Sequence, residues 1–280
     1  MSSAGFQALT PELLDSALQL SAAAGWNQTR EDWNRMIRLP ECTVGVHLED
    51  GAVRASYSVM GFGPSLAWIG MILVDPDYRG KGLGSAAFDR ALGAAKAAGF
   101  NTLGLDATTL GEPIYRKSGF QVVGPIVRWT GVLACKAGPS EDSTPGYGWN
   151  NQILDFDAAA TGVNRAQLLV DLSNSGATIL SSSSGTALEA YAVIRPGRTA
   201  FQLGPVLANS DAAFAGIIRE AARFLDGRPV CCDLFRDSDG GLLHNLDLQA
   251  GRALKRMTFP HREGVLCDPT VRCGAGFEWG

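Results

Sequence analysis

Apolar and polar positions alternate along the chain with two different periods, which predict a mixture of helices and strands. Helical spacing follows Thr10–Pro11–Glu12, which has the residue types of a helix start. A second helix is predicted from Thr29, which is spaced from Asp32 as in a capping box. Period-two alternation then predicts strands over 43–48 and 52–60 with an Asp-Gly turn between them. The chain therefore opens with a helix pair and antiparallel strands.

The next stretch combines a strand, a glycine-rich turn and a helix start. An apolar run over 66–74 is followed by Pro76, by the turn Arg79–Gly84 with its three glycines and two cations, and by a helical pattern from Ser85. Glycines allow phosphate groups to approach the backbone, and the helix start offers unpaired N–H groups. An ordinary βα turn is the alternative. A Rossmann turn is not matched because the third glycine comes one residue too early, and a Walker loop would need Gly-Lys-Ser/Thr.

This stretch resembles the acyl-CoA pyrophosphate loop of the GNAT N-acetyltransferases, whose pattern is Arg/Gln-x-x-Gly-x-Gly/Ala after a strand ending in Val-x-Pro. Arg79, Gly82 and Gly84 match the loop, and Val74 and Pro76 match the residues before it. The resemblance implies that CoA lies along the strand and over the loop. The residues expected to bind it are Ile72, Leu73, Val74, Arg79, Gly80, Lys81, Gly82, Leu83, Gly84 and Ser85.

A second GNAT-like signature, Tyr-x-x-x-Gly-Phe, is matched from Tyr115 to Phe120 after a predicted strand over 102–107. In the family this tyrosine lies near the CoA sulfur, so the resemblance implies that Tyr115 is the general acid; a core aromatic is the alternative. Asp106 is a candidate general base, because burial could raise its pKa, or equally a cap of the following turn. Water chains to Glu112 or Glu31 are other routes for the proton.

Three tryptophans are candidates for the acceptor-binding wall. Trp26 lies in the connection between the two predicted helices, and Trp33 lies on the second of them. In GNAT proteins this helix pair covers the acceptor side. Trp279 stands near the C-terminus beside Glu278, which is a candidate partner for a cationic amine. Packing in the core is the alternative for all three tryptophans.

The second half repeats the first in a degenerate form. Aligning Arg128 with Arg256 pairs Tyr115 with Leu243, while Asp106 corresponds to Asp233. Between strand and helix the second copy is about seven residues shorter, so it lacks the glycine turn. We therefore expect two tandem GNAT-like domains with an α/β (α+β) fold, each a mixed, largely antiparallel twisted sheet flanked by helices, with a splayed strand pair in the first. The predicted boundaries are a catalytic domain at 1–134, a linker at 135–149 and a degenerate domain at 150–280.

The composition of the chain bears on its partners, its metal content and its location. Hydrophobic residues make up 46% of the chain and charged residues 19%, as in ordinary globular proteins, and a net charge of −4 argues against a nucleic-acid partner. The six cysteines form no C-x-x-C pair and only three histidines accompany them, so no metal is expected. The absence of a long apolar run and of a signal-like N-terminus predicts a cytoplasmic protein without membrane contact. The protein is expected to be a monomer or a homodimer.

The resemblance to the GNAT family implies an acetyl-CoA-dependent N-acetyltransferase, with acetyl-CoA as co-substrate. The acceptor is expected to be the amine of a small molecule or a peptide terminus, which attacks the thioester directly. Two alternatives stay open at this point: a non-catalytic CoA-binding or sensor module, and an acyltransferase that uses a longer acyl donor.

Overall fold

The computed structural model describes residues 5–133, 144–235, 237–262, 266, 268–276 and 278–280. The elements of the first half are β1 (Gly5–Ala8), α1 (Leu14–Ala23), α2 (Arg30–Arg38), β2 (Cys42–Glu49), β3 (Ala52–Phe62), β4 (Leu66–Val74), α3 (Leu83–Ala97), β5 (Thr102–Ala107), α4 (Glu112–Lys117) and β6 (Gln121–Val132). Those of the second half are β7 (Thr144–Tyr147), α5 (Asn151–Thr161), α6 (Ala166–Asn174), β8 (Thr178–Ser184), β9 (Ala187–Arg195), β10 (Phe201–Ala208), α7 (Asp211–Leu225), β11 (Pro229–Leu234), α8 (Asp237–Asn245), β12 (Leu248–Phe259) and β13 (Val271–Cys273).

The described strands form one continuous, mostly antiparallel sheet, in which the two halves exchange a strand. The order is β1-β2-β3-β4-β5-β12-β6-β11-β13-β10-β9-β8-β7. Strand β12 of the second half lies between β5 and β6, and β6 of the first half pairs with β11. The expected mixed, largely antiparallel sheet flanked by helices is confirmed, but each half is completed by a strand from the other.

The exchange follows a pseudo-twofold relation that agrees with the repeat in the sequence. Ile126 and Leu254 are equivalent in the repeat and face each other in the β6–β12 ladder. Equivalent positions elsewhere share the same backbone conformation: Gly119 and Asp247, which the alignment pairs, both have left-handed φ angles, of 89° and 65°. The halves are therefore related as two subunits of a strand-exchanged dimer would be.

Two ion pairs join the halves across the exchanged strands. The Arg256 guanidinium on β12 donates to both Asp106 oxygens on β5, at 3.0 and 3.1 Å. Its counterpart Arg128 on β6 donates to both Asp233 oxygens on β11, at 2.8 and 2.7 Å. The repeated aspartate thus pairs with the arginine of the opposite half in each copy.

Strands β4 and β5 separate after a short stretch of parallel pairing. Their ladder runs from Leu66–Thr102 to Trp68–Gly104, whereas β4 continues to Val74 and β5 to Ala107. Beyond the ladder Met71 has a φ of 51°, unusual for a residue with a side chain, and its carbonyl accepts a 2.7 Å hydrogen bond from Ser56 Oγ. The predicted splayed strand pair is confirmed in the first half.

The corresponding gap in the second half is filled by the chain itself. Strands β10 and β11 also pair in parallel only briefly, at Phe201–Val230 and Gln202–Cys231. Strand β13 then inserts between them and pairs with both, through Cys273 on Val206 and on Leu234. The backbone edges that stay apart in the first half are therefore bridged by a strand in the second.

The predicted capping box at the start of α2 is confirmed. Thr29 Oγ1 accepts from the Asp32 N–H, and the Asp32 carboxylate accepts from the Thr29 N–H at 2.8 Å. Replacing Thr29 by alanine should lower the free energy of unfolding by about 1 kcal/mol, because one helix N–H loses its acceptor. Chemical denaturation of the two proteins measures this, and equal midpoints would contradict it.

The predicted linker at 135–149 lies largely outside the described residues. Within it, Thr144–Tyr147 forms β7, which pairs with β8 at the edge of the sheet. The boundaries at 134 and 150 stay predictions. Because β12 lies between β5 and β6, separating the two halves at these boundaries would remove β12 from the part of the sheet that the first half forms.

Candidate functional site

A cavity of about 720 Å³ opens where β4 and β5 separate. One wall is formed by Ile72, Leu73 and Val74 at the end of β4. The cavity continues over the glycine-rich turn, and of the candidate CoA-binding residues all except Lys81 line it. Lys81 instead lies with Nζ 4.4 Å from the centre of the Tyr78 ring, beside the same turn.

The turn has the backbone geometry of an anion cradle. Gly80 and Gly82 have φ angles of 75° and 83°, and no atom lies within 4 Å of a Cβ built at either position. Gly82 is the N-cap of α3 and has no side chain that could accept from the first turn of the helix. The N–H groups of the first helical turn lack intrahelical partners, and three of these residues, 83–85, line the cavity. The residues present therefore fit a phosphate-bearing ligand such as CoA.

Tyr115 lines the same cavity from α4. Its ring packs against Phe88, with centroids 4.8 Å apart, and against the Gly111 backbone, where an added Cβ would lie 2.8 Å from the hydroxyl oxygen. Only 6% of the residue is exposed, and burial raises the pKa of the hydroxyl above its ordinary value. Tyr115 therefore holds its proton at neutral pH, as a general acid must.

The candidate bases are all engaged in ion pairs. The Asp106 side chain is fully buried against Arg256, and Asp106 does not line the cavity. Burial raises the pKa of its carboxyl, and Arg256 acts in the opposite direction. Glu112 accepts from Lys255 at 2.9 Å and from Arg116 at 2.8 Å, which lowers its pKa. Glu31 accepts from Arg38 at 2.7 Å. Asp106 forms a cross-strand ion pair with Arg256, and this geometry favours a structural role for Asp106 over that of a general base.

Of the three candidate tryptophans, only Trp26 lines the cavity, from the connection between α1 and α2. Trp33 and Trp279 are fully buried in one hydrophobic cluster shared by the two halves, so the expectation that they bind substrate is corrected. A side chain without accessible surface cannot touch a ligand unless the core opens. Glu278 is likewise buried, and accepts from Arg195 at 2.7 Å and from Gln28 at 2.8 Å.

The second half holds the Trp26 connection in place. Asn27 Oδ1 accepts from the N–H groups of Thr199 and Ala200 at 2.9 and 3.2 Å, and Asn27 Nδ2 donates to the Ala200 carbonyl. The Arg198 side chain donates to the Trp26 carbonyl at 3.0 Å. A wall of the cavity is thus anchored to the loop between β9 and β10.

Several residues of the cavity were not anticipated from the sequence. They are Ala23, Ala24, Tyr78, Thr108, Thr109, Leu110, Gly111, Ile114, Arg252 and Ala253. The segment 108–111 follows β5 directly, and its position after a strand beside the splay is a signal that could have found it. Arg252 and Ala253 come from β12, which reaches the first half only through the strand exchange, so no local pattern points to them.

The second half does not repeat this site. At the start of α7 Ser210 occupies the N-cap, and its Oγ accepts from the Ala213 N–H at 3.1 Å, where the first half has a bare glycine. Leu243, aligned with Tyr115, is fully buried and carries no proton donor. At Gly204, aligned with Gly70, an added Cβ would meet the Gly274 carbonyl after β13.

Comparisons with known proteins agree with this geometry. The sequence model of the acetyltransferase (GNAT) family matches residues 11–120, and that of an acetyltransferase (GNAT) domain matches residues 153–262. The chain belongs to the GNAT family. Its two halves are tandem GNAT domains, and the family is one of acyltransferases that use acyl-CoA.

Individual relatives are distant in sequence. Holothin acyltransferase of Pseudoalteromonas sp. (strain SANK 73390) is 28% identical over 210 residues, which cover 73% of this chain and 67% of that protein. A putative acetyltransferase from Pyrococcus horikoshii superposes with a TM-score of 0.83 at 17% identity, over 100% of this GNAT chain and 97% of its own. A tandem GNAT protein from the clavulanic acid biosynthesis pathway gives 0.66 at 14% identity, over 91% and 98%. The structural likenesses show the fold.

Among the described residues of the GNAT chain, no group of three or more His, Cys, Asp or Glu side chains is arranged to hold a metal ion. The helices described are all too short or too polar to cross a membrane.

Proposed function

We propose that this GNAT protein transfers the acetyl group of acetyl-CoA to an amine, at one site per chain. The observation that carries the proposal is that the glycine cradle at the start of α3 and Tyr115 line the same cavity. Burial raises the pKa of the Tyr115 hydroxyl, which keeps it protonated. The cradle suits a pyrophosphate, and the separated edge of β4 suits an extended pantetheine arm. The second half has a capped helix and a filled gap instead, which supports a single site.

In the proposed reaction the amine nitrogen attacks the thioester carbonyl carbon, and the carbon–sulfur bond then breaks. Tyr115 donates its proton to the departing thiolate, the new amide nitrogen releases a proton to solvent, and Tyr115 is reprotonated from solvent. Overall, an amine and a thioester are converted to an amide and a thiol, and atoms and charge are conserved. Much of the rate comes from holding the two reactants together, to which β4 and the cradle contribute.

The acceptor is proposed to be a small molecule or a peptide terminus reached past Trp26. Two relatives support a small molecule by their names, since one acylates holothin and the other belongs to clavulanic acid biosynthesis. Release of free thiol from acetyl-CoA, followed across a panel of amines, tests the proposal. Binding without thiol release for any acceptor would instead favour a sensor module. Release only with longer acyl-CoA would favour a different donor.

A side chain at Gly82 should weaken CoA binding. In the Gly82→Leu variant the new side chain would occupy the space over the cradle, and the lost charge-assisted hydrogen bonds predict about 10- to 100-fold weaker binding. The matched control is Gly185→Leu in the β8–β9 turn, where the glycine also has a left-handed φ, of 60°, and open space around it. Calorimetric titration with CoA measures both. Equal losses in the two variants would show that backbone strain, and not the cradle, is responsible.

A further inference from the structure

The two helix pairs of the first half cover opposite faces of its sheet. On β4, Trp68 and Leu73 pack in the hydrophobic cluster of α1 and α2. Their neighbours Ile69 and Ile72 pack with α3 and α4. Successive side chains of a strand point to opposite faces, so α1 and α2 lie on one face of β4, and α3 and α4 lie on the other.

The cavity reaches both of these faces through the gap between β4 and β5. Its glycine cradle begins α3 and Tyr115 lies on α4, so both groups come from one face. Trp26 packs against the cluster of α1 and α2 and lines the cavity from the other face. A CoA thioester with its pyrophosphate on the cradle and its sulfur beside Tyr115 would occupy the first side. The side of Trp26 is then left for the acceptor.

Asn27, the residue after Trp26, is enclosed by polar groups of the second half. The Asn27 carbonyl accepts from the Arg198 N–H at 2.8 Å. Its side-chain oxygen accepts from the Thr199 hydroxyl at 3.0 Å, as well as from two backbone N–H groups. Its side-chain nitrogen donates to the Ala200 carbonyl at 2.9 Å. Asn27 and residues 197–200 therefore form one hydrogen-bonded anchor beneath Trp26.

Gly197 leaves the room that this anchor needs. A Cβ added at Gly197 would overlap Asn27 Nδ2 and the Ala200 carbonyl, which the 2.9 Å hydrogen bond joins. Asn27 Nδ2 also reaches Cys231 Sγ on β11 at 3.4 Å. The φ of Gly197 lies outside the left-handed region, so a substitution there acts through this contact and not through backbone strain.

The start of α2 is tied to the second half as well. Gln28 donates to Glu278 at 2.8 Å, and Glu278 accepts from Arg195 on β9 at 2.7 Å. The Arg195 guanidinium also lies 3.6 Å from the Asp32 carboxylate of the capping box. The chain that follows Trp26 is therefore held by groups that the CoA-binding half does not supply.

The cradle depends on contacts within the first half. The Asp75 N–H donates to the Arg54 carbonyl, and the Asp75 carboxylate accepts from the Arg54 side chain, both at 2.8 Å. The Ala86 N–H closes the first turn of α3 by donating to the Gly82 carbonyl at 3.0 Å. A change in the second half that moves Trp26 should therefore leave the cradle and its affinity for CoA unchanged.

We infer that Asn27 is a positioning residue through which the second half sets the affinity for the acceptor, by fixing Trp26 opposite the thioester. This inference rests on the proposed function and specifies what the half without a CoA site contributes to it. Asn27 does not line the cavity, so it acts through Trp26. A misplacement of about 1 Å at a substrate-binding group can cost about 10²-fold in rate, which sets the scale of the effect.

Gly197→Ala tests the inference without altering the first half. The added methyl group should displace Asn27, raise the KM for the acceptor by about 10- to 100-fold, and leave the Kd for CoA unchanged. Gly216→Ala on α7 is the matched control, because no atom lies within 4 Å of a Cβ added there, and it should change neither constant.

Two measurements give these constants. Thiol release from acetyl-CoA is followed with aniline, benzylamine and a dipeptide with a free N-terminus as acceptor probes, and calorimetric titration gives the Kd for CoA. An acceptor KM that Gly197→Ala leaves unchanged would overturn the inference. An equal loss of CoA affinity would overturn it as well, because the second half would then hold the whole cavity and not the acceptor wall.

Asn27→Ala removes the anchor from the other side and adds a readout that needs no turnover. The Gly25 and Trp26 N–H groups donate within the connection between α1 and α2, so their hydrogen exchange should become faster in this variant and in Gly197→Ala. Asn150→Ala is the control, since Asn150 Oδ1 accepts from the Ile153 N–H at 3.0 Å at the start of α5. Equal exchange rates in Asn27→Ala and Asn150→Ala would contradict a positioning role.

The two proposals fail in different ways. If the proposed function is wrong, the unaltered protein releases no thiol with any probe, while hydrogen exchange still reports whether Asn27 holds the connection. If the inference alone is wrong, the unaltered protein releases thiol and Gly197→Ala keeps the acceptor KM.

Discussion

Replacing Tyr115 by phenylalanine should lower kcat by about 10²- to 10⁴-fold while the KM for acetyl-CoA stays near its original value. Phenylalanine keeps the ring against Phe88 and removes only the hydroxyl of this cavity-lining residue. The thiolate must then take its proton from solvent. Steady-state thiol release at saturating substrates measures the change.

Tyr57→Phe is the matched control. Tyr57 lies on β3, where its ring contacts Phe6, and it does not line the cavity. This variant should keep full kcat, which separates loss of a proton donor from loss of a hydroxyl in general. An unchanged kcat in Tyr115→Phe would show that another group or solvent protonates the thiolate.

The second large effect is expected at the ion pair between the halves. Replacing Arg256 by methionine should lower the free energy of unfolding by about 3–5 kcal/mol, because the fully buried Asp106 carboxylate loses its partner. The Arg256 guanidinium also lies 4.5 Å from the Trp68 ring and 4.1 Å from the Phe235 ring, so packing is lost with the charge. Urea denaturation followed by circular dichroism measures the difference.

The double variant Asp106→Leu with Arg256→Met decides between structure and catalysis. Apolar residues of similar volume often replace a buried ion pair without loss, so much of the stability should return. If Asp106 is structural, turnover returns as well. A stable double variant with turnover reduced by 100-fold or more would assign Asp106 to the chemistry and contradict its structural role.

Local sequence patterns predicted many of the secondary-structure elements of the first half. Strands β4 and β5 have the bounds expected from their apolar runs, and the capping box at Thr29 begins α2 as expected. The cradle followed from three glycines between a strand and a helix, because glycine adopts the left-handed φ found at Gly80 and Gly82 without the steric cost that a side chain brings. Signals of this kind depend on residues close together in sequence, which is why the sequence reveals them.

Long-range arrangements could not be predicted in the same way. The repeat alignment paired Asp106 with Asp233 and Arg128 with Arg256, but nothing local indicates that each aspartate meets the arginine of the other copy. An exchanged strand keeps the register of its hydrophobic positions. The same sequence pattern therefore fits a sheet with the strands exchanged and a sheet without the exchange. For the same reason Arg252 was missed, and the apolar character of Trp33 and Trp279 suited a core as well as a binding wall.

We propose that one half of this tandem GNAT protein binds CoA, while in the other half β13 fills the corresponding gap between β10 and β11. Calorimetric titration of the full chain with CoA tests it most directly. The expected result is one site per chain, weakened in Gly82→Leu and kept in Gly185→Leu. Two equivalent sites per chain, or one site that Gly82→Leu leaves intact, would contradict the claim.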